Sequence, residues 1–442
     1  MLAASQIPLD ERLPSLTQVA DEDAMRTRFA PYAHAGWTLR RCRIKEARYY
    51  PSQNCLLAYH LKFDHESGET ATVMLHARAF GEGAVPEAFR ADTMLATSAA
   101  TLPRWFADLG LAIWTFPDDP AVHGLGTVWR RGGALLDDPG VMQHRPWNGE
   151  RPGLETLLVS YVASKRCILR YDRLDHALPE SFYGKVYAQE DARVLYAQMQ
   201  SLWDWARQHA PELRLAQPLG CDPRHNVLWQ ASPGGEPLLE VLDGCDVPAL
   251  LRRVAAAMAA LHRCPLQPER RWRLDEETAK LRRAHAALSR FHPELRPRIE
   301  SVVGGLLAVA PAEAERLVPV HGDFHCNQVL VHDERVAVID FDLFGMGDPL
   351  LDVGRFLSRF RAHMHGKLGE EEVLQAQRAF VSAYEILVPW RVDRQRLGWI
   401  LAALLVNRQA LKSVKKLSAG GSEPVATLLA TAARMASGSG AE

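Results

Sequence analysis

The sequence predicts an α+β protein of two lobes facing a cleft, with an added cap-like segment at the amino-terminal side. Three observations carry this reading. Strand-like runs crowd the first half, helically spaced apolar residues fill the second, and a stretch dense in Pro, Gly and Asp interrupts the strands between Phe116 and Gly153. A strand-rich region feeding a helical one forms separate layers with a crevice between them. At 442 residues the chain is also too long for one ordinary core. The boundaries divide it into an α+β cap-like segment 1–150, a strand-rich lobe 151–235, a mainly helical lobe 236–436 and a disordered tail 437–442, SGSGAE.

In chain order, Asn54–Phe63 and Thr70–Phe80 read as strands. The stretch from Phe116 to Gly153 favours turns and connections over packed elements. Arg166–Tyr171 and Phe182–Ala188 are the next strands, followed by a helix whose Leu195, Met199, Leu202 and Ala206 share one face. Asn226–Gln230 is a strand running into the turn SPGGEPL, and Val254, Ala257, Met258 and Leu261 mark the buried face of a helix. Amphipathic helices are predicted around Glu371–Leu387 and Arg394–Leu417. There is also an internal echo: YPSQNCLLAY (Tyr50–Tyr59) resembles VASKRCILRY (Val162–Tyr171), and further on HARAFGE aligns with YGKVYAQ, placing Arg78 opposite Lys185. Two β-hairpins of similar composition would give the same likeness.

Composition narrows the function. Lys+Arg 52 against Asp+Glu 53 gives a net charge of -1, with no basic stripe to track phosphates, so nucleic acid is not an expected partner. The 7 cysteines include no C-x-x-C pair, which argues against a disulfide framework or a zinc site. The longest strongly apolar run, Trp399–Val406, is far short of the ~20 residues that span a bilayer. The expectation is a reduced, cytoplasmic protein without a membrane partner.

The chemistry concentrates in HGDFHCNQVLV (His321–Val331) and VAVIDFDLFGMGDPLLDVG, whose Asp323 and Asp340 lie seventeen residues apart. The runs VLV and VAVID read as two strands joined by a His-Asp-Glu-Arg turn, and such a hairpin returns Asp340 to the loop bearing Asp323. Phosphoryl transfer uses two carboxylates in this way: one orients the attacking hydroxyl and takes its proton, the other fixes magnesium. No G-x-x-x-x-G-K-[ST] occurs, and Gly124-Leu125-Gly126 is too isolated for a dinucleotide fingerprint.

HGDFH, IDFD and GDPLLDVG, preceded by SPGGEPL and a helix ending in Leu261-His262, resemble the aminoglycoside phosphotransferase and choline kinase family, over roughly Lys165 to Phe356. The resemblance implies a protein-kinase-like fold, with 151–235 as the nucleotide-binding lobe. It implies Asp323 as catalytic base, Asp340 as magnesium ligand, Lys185 as the strand lysine on the nucleotide phosphates, and the backbone around Trp229, Gln230 and Ala231 as the hinge receiving adenine. The acidic partner of Lys185 stays open, since the following helix offers Glu190 and Asp191 near its start and only Gln198 and Gln200 further in. Where the family places a metal-binding asparagine this chain has Gln328, with Asn327 one step early. Because Val329 opens the strand, Gln328 occupies the ligand position, while Asn327 falls where the loop is still turning and suits a left-handed conformation. Asp348 fits a turn before Pro349, Asp352 a cap or brace of the next helix, His325 a structural hydrogen-bond partner, and Cys326 no role. The implied activity is ATP- and Mg2+-dependent phosphorylation of a small-molecule hydroxyl, with GTP as the alternative donor. The glutamine and the amino-terminal extension resemble the maltokinase and glucosamine kinase branch, so a sugar or amino sugar is the preferred acceptor. An aminoglycoside is the runner-up, and a nucleotide-binding pseudokinase is the alternative of a different class.

Overall fold

The computed structural model describes residues 7, 9–81, 85–90, 93–145, 147, 153–174, 181–242, 244–332, 335–417 and 422–436. The predicted disordered tail and the middle of the His-Asp-Glu-Arg turn lie outside them.

Helix α1 (Glu22–Phe29) starts at Asp21, whose carboxylate accepts the N–H groups of Asp23 and Ala24. It covers a sheet of β1 (Trp37–Tyr50), β2 (Asn54–His65), β3 (Thr70–Phe80), β4 (Trp105–Phe106) and β5 (Leu111–Trp114), ordered β1-β2-β3-β5-β4. Alternation in β2 buries Cys55, Leu57, Tyr59, Leu61 and Phe63, and Phe29 meets Tyr59 edge-on at 5.4 Å. The expectation of connection alone over Phe116–Gly153 is corrected by α2 (Leu125–Leu135). Its Leu125 and Val128, with Val122, Val141 and Trp147, bury against the next sheet. The turn-forming residues bracket a short amphipathic helix rather than replace it.

That sheet comprises β6 (Leu154–Val162), β7 (Arg166–Arg173), β8 (Ser181–Tyr187), β10 (Pro218–Asp222) and β11 (Val227–Ala231), ordered β6-β7-β8-β11-β10, with α3 (Ala192–His209) and β9 (Leu213–Leu215) between β8 and β10. Leu195, Met199, Leu202 and Ala206 of α3 are all buried, as their spacing predicts.

The two sheets repeat one another in strand order and in register. Leu56 pairs with Arg78 as Ile168 pairs with Lys185, and Arg78 pairs with Ala112 as Lys185 pairs with Leu228. Each first hairpin turns on a left-handed serine, Ser52 or Ser164. In the first, Asp10 Oδ2 accepts the Ser52 N–H (2.7 Å) and the Tyr49 hydroxyl (2.6 Å). In the second, Asp119 Oδ2 accepts the Ser164 N–H (2.7 Å) and the Tyr161 hydroxyl (2.6 Å). Shared composition alone does not produce the same clamp twice. The Arg78 guanidinium stacks on Phe80 and Phe89, so the first copy is filled by aromatic side chains where the second has its lysine.

The rest of the chain is mainly helical. In α4 (Val247–His262) the residues Val254, Ala257, Met258 and Leu261 are fully buried; each larger one stabilises by about 1.5–3 kcal/mol. Strand β12 (Glu236–Pro237), which precedes α4, and strands β14 (Val329–His332) and β15 (Arg335–Val338), which follow α5 (Leu274–Phe291), join β9 in the order β9-β15-β14-β12, while β13 (Val318–Val320) pairs with β16 (Gly345–Gly347). Helices α6 (Pro349–Met364), α7 (Glu370–Leu387) and α8 (Arg394–Leu404) follow. The single helix expected over Arg394–Leu417 is corrected: α8 widens into a π turn at Leu405–Ala410 before one more turn at Lys412–Lys415. Asn407 holds the widened turn, its amide reaching the carbonyl and carboxylate of Glu277 (both 3.3 Å).

Candidate active site

β13 delivers the chain into His321-Gly322-Asp323. Gly322 has φ +85°, and a Cβ there would stand 2.3 Å from the Leu343 carbonyl and 2.8 Å from the Trp272 indole, so only glycine makes this turn. Asp352, on the first turns of α6, fixes the loop by accepting the N–H groups of His321 (2.6 Å) and Gly322 (3.1 Å). It braces the loop and does not cap the helix; the cap is Asp348, which accepts the Leu350 N–H at 2.9 Å and pairs with Arg396. Burial would raise the Asp352 pKa, but His262, Arg355 and His321 together lower it. His321 Nε2 donates to the Ile339 carbonyl (2.8 Å) and Nδ1 accepts the Asp323 N–H (3.2 Å), which ties the loop to the far end of the hairpin.

Asp323 is partly exposed and meets Arg408 Nη1 at 2.8 Å, with the His325 ring 3.6 Å away. Burial acts to raise its pKa; His325 and then Arg408 outweigh it and hold the carboxyl below the ordinary range, so it stands ionised, with an oxygen free to accept a hydrogen bond. Cys326 is fully buried and its thiol is pushed up to about 12 by that burial, which suits no nucleophile.

The β14–β15 hairpin pairs Val329 with Val338 and returns the chain to Asp340, a left-handed residue at φ 70°. Gln328 Nε2 lies 2.9 Å from Asp340 Oδ2, whereas Asn327 is exposed. The left-handed conformation expected for Asn327 is corrected: it sits in the 3₁₀ turn Cys326–Gln328 and donates its N–H to His325.

Lys185 Nζ, 3% exposed, contacts Asp340 (2.7 Å) and Asp342 (3.0 Å). Among the described residues these carboxylates are its acidic partners: Asp191 caps α3, Gln200 bonds Asp204, and the Glu190 carbonyl accepts from Asn226. Arg166 bridges the same pair, at 3.0 Å to Asp340 and 2.6 Å to Asp342, and the Tyr187 hydroxyl donates to Asp342 at 2.9 Å. Burial would raise the Asp340 pKa and lower those of Lys185 and Arg166; their mutual attraction wins in all three, so Asp340 falls and both cations rise. Asp342 was in view in the IDFD motif, and Arg166 had a signal too, since it stands across from Tyr187 in the β7–β8 register. Arg408 had none.

Trp229, Gln230 and Ala231 close β11 in the sheet that carries Lys185, with Trp229 paired to Gly184. The Ala231 N–H is engaged by the Gln217 carbonyl at 2.8 Å, and Trp229 is fully buried.

A buried lysine on a strand, a paired carboxylate at the end of a hairpin and a second carboxylate on a glycine-turned loop, set between a five-stranded sheet and a helical lobe, define a small-molecule kinase of protein-kinase-like architecture. The chain belongs to the phosphotransferase enzyme family (APH), whose profile matches residues 170–390, half of its length. Glucosamine kinase from Streptacidiphilus jiangxiensis is 33% identical over 127 residues, and the chain spans only 27% of that relative's length, using 27% of its own. Among solved structures, a thermostable mutant of aminoglycoside phosphotransferase APH(4)-Ia, in complex with AMP-PNP and hygromycin B, is 16% identical with a TM-score of 0.44, covering 64% of this chain and 93% of that one. Choline kinase from Cryptosporidium parvum is 13% identical with a TM-score of 0.45, covering 64% and 88%. No helix among the described residues is long and apolar enough to cross a membrane.

Proposed function

We propose that this phosphotransferase moves the γ-phosphoryl group of ATP to a hydroxyl of a sugar or amino sugar, with magnesium as the accompanying ion. The observation that carries the reading is the separation of roles in space. Asp323 faces Arg408 and the helical lobe, while Asp340 faces Gln328 and Lys185 on the sheet side. Asp323 orients the acceptor hydroxyl and holds its proton at a carboxylate oxygen, and Lys185 and Arg166 supply positive charge for the nucleotide phosphates. The donor set suits a hard cation: Gln328 donates its Nε2 to Asp340 Oδ2 at 2.9 Å, and a half-turn of that amide would set its oxygen beside the carboxylate. Among the described residues no cluster of three His, Cys, Asp or Glu forms a cage, consistent with an ion that takes its remaining ligands from phosphate and water. A bound magnesium ion would neutralise the transferring phosphates, held by Asp340 and Gln328. On this reading 151–235 grips the nucleotide, 236–436 carries the catalytic loop, and 1–150 is the cap.

The test is ADP release measured with glucose, maltose, glucosamine and an aminoglycoside. Acceptor-stimulated turnover is expected. Nucleotide binding with no stimulation by any hydroxyl compound would favour the pseudokinase, a reading motivated by Lys185 and Arg166 already neutralising Asp340 and Asp342.

A further inference from the structure

A cavity of about 910 Å³ lies between the first hairpin turn, α5 and the π turn, and Arg408 links it to Asp323. Its volume is within the range that takes a small-molecule ligand. Its charge is one-sided. Lys280, Arg283, Arg290, Arg359, Arg408 and Lys415 line it against one carboxylate, Glu277. That carboxylate is already engaged, by Lys280 at 2.7 Å and more loosely by Asn407 and Arg355.

The side chains of Arg283 on α5, Arg359 on α6 and Lys415 beyond the π turn make no hydrogen bond or ion pair among the described residues. The Nε atom of Arg359 is buried without a partner. Burial and then the neighbouring Arg408, Lys280 and Arg283 lower the Lys415 pKa, which shows that these cations crowd one another. Three elements thus converge unneutralised positive charge on a space whose wall includes Arg408, the partner of the candidate base. A solvated helix face would present its cations outward from one element only.

We infer that the acceptor carries an oxyanion, a phosphate or carboxylate group, besides the hydroxyl that receives the phosphoryl group. This rests on the kinase reading above and selects among its acceptors. An aminoglycoside or amino sugar would bring further ammonium charge into a cationic cavity, whereas guanidinium and ammonium groups bind oxyanions through charge-assisted hydrogen bonds.

The experiment compares kcat/KM for glucose, glucosamine, glucose 6-phosphate and gluconate. The phosphate or the carboxylate compound is expected to exceed glucose by about tenfold or more, glucosamine to be poorest, and the advantage to shrink as salt rises from about 50 to about 500 mM. The two anions separate phosphate from carboxylate recognition. Arg283→Glu combined with Lys415→Glu should raise KM for the anionic acceptor by at least about tenfold and narrow its lead over glucosamine. Preference for glucosamine or glucose, or a ranking untouched by the charge reversal, overturns the oxyanion while leaving phosphoryl transfer standing. If none of the four is phosphorylated, the kinase reading fails for these acceptors, and calorimetric titration with glucose 6-phosphate decides the oxyanion separately. Binding that is lost in the double variant supports it, and no binding refutes it. Should the double variant not fold, Arg283→Gln and Lys415→Gln are measured singly.

Discussion

Replacing Asp352 by Asn tests the claim that one buried carboxylate holds the catalytic loop in place. Asp352 is 0% exposed and accepts two backbone N–H groups, at 2.6 and 3.1 Å, with His262 at 3.4 Å and Arg355 at 3.6 Å. Asparagine keeps one acceptor oxygen but turns an NH2 group toward a second donor, so one of the two N–H bonds must break. A charge-assisted bond contributes about 1.5–3 kcal/mol, and removing a buried charge that Arg355 faces costs more, so the expected loss is about 3–5 kcal/mol. Chemical denaturation of parent and variant measures it. The functional side is read from kcat at saturating nucleotide and magnesium, which should fall because His321 and Gly322 no longer anchor Asp323, while nucleotide affinity stays close to the parent value. A variant within about 1 kcal/mol of the parent, with unchanged kcat, would show that Asp352 merely fills space and that the loop is held elsewhere.

Asp323→Asn should lower kcat by ~10²–10⁴ with nucleotide binding nearly intact, since an amide still bonds the hydroxyl but cannot take its proton; turnover near the parent rate removes the base assignment. Asp340→Ala should weaken magnesium-ATP binding more than binding of metal-free ATP in paired titrations, and equal losses would make it structural. Gln328→Ala should raise the magnesium concentration for half-maximal activity, whereas exposed Asn327→Ala should barely move it; the opposite ranking would exchange the two amides. Asp323, Asp340 and Asp352 all have depressed folded-state pKa values, so their stabilisation is fully present above the unfolded carboxylate value of about 3.9 and is lost as pH falls through the folded values. Unfolding free energy measured from pH 6 downward should therefore decline steeply in acid, and a flat profile would contradict these ion pairs.

Much of the scaffold was legible because local rules sufficed. Leu195, Met199, Leu202 and Ala206 follow one helical face, and the left-handed Ser52 and Ser164 stand at the same place in the two matched segments. Short motifs singled out Lys185, Asp323 and Asp340 as candidates. What escaped depends on long-range assembly. Arg408 reaches Asp323 across 85 residues through a helix irregularity that periodicity does not register, and Lys185 finds its acids 155 and 157 residues away instead of on the helix that follows it. The helix at Leu125–Leu135 was hidden because its flanking prolines and glycines dominate the local signal.

The widened turn at Leu405–Ala410 sends consecutive side chains to three destinations: Asn407 to Glu277, Arg408 to Asp323 and Gln409 to Ser358. Downstream of it, Leu411, Val414 and Lys415 line the cavity. A π turn is an α-helix with one residue added, and each helical residue advances the rotation by about 100°. Loss of a single codon here would swing every later side chain through that angle and give the cavity proposed for the acceptor a different wall, with Asp340, Gln328 and Lys185 left in place. On the proposed reading, the length of this segment, as much as its residue types, is therefore a variable by which the same candidate site can be refitted to another substrate.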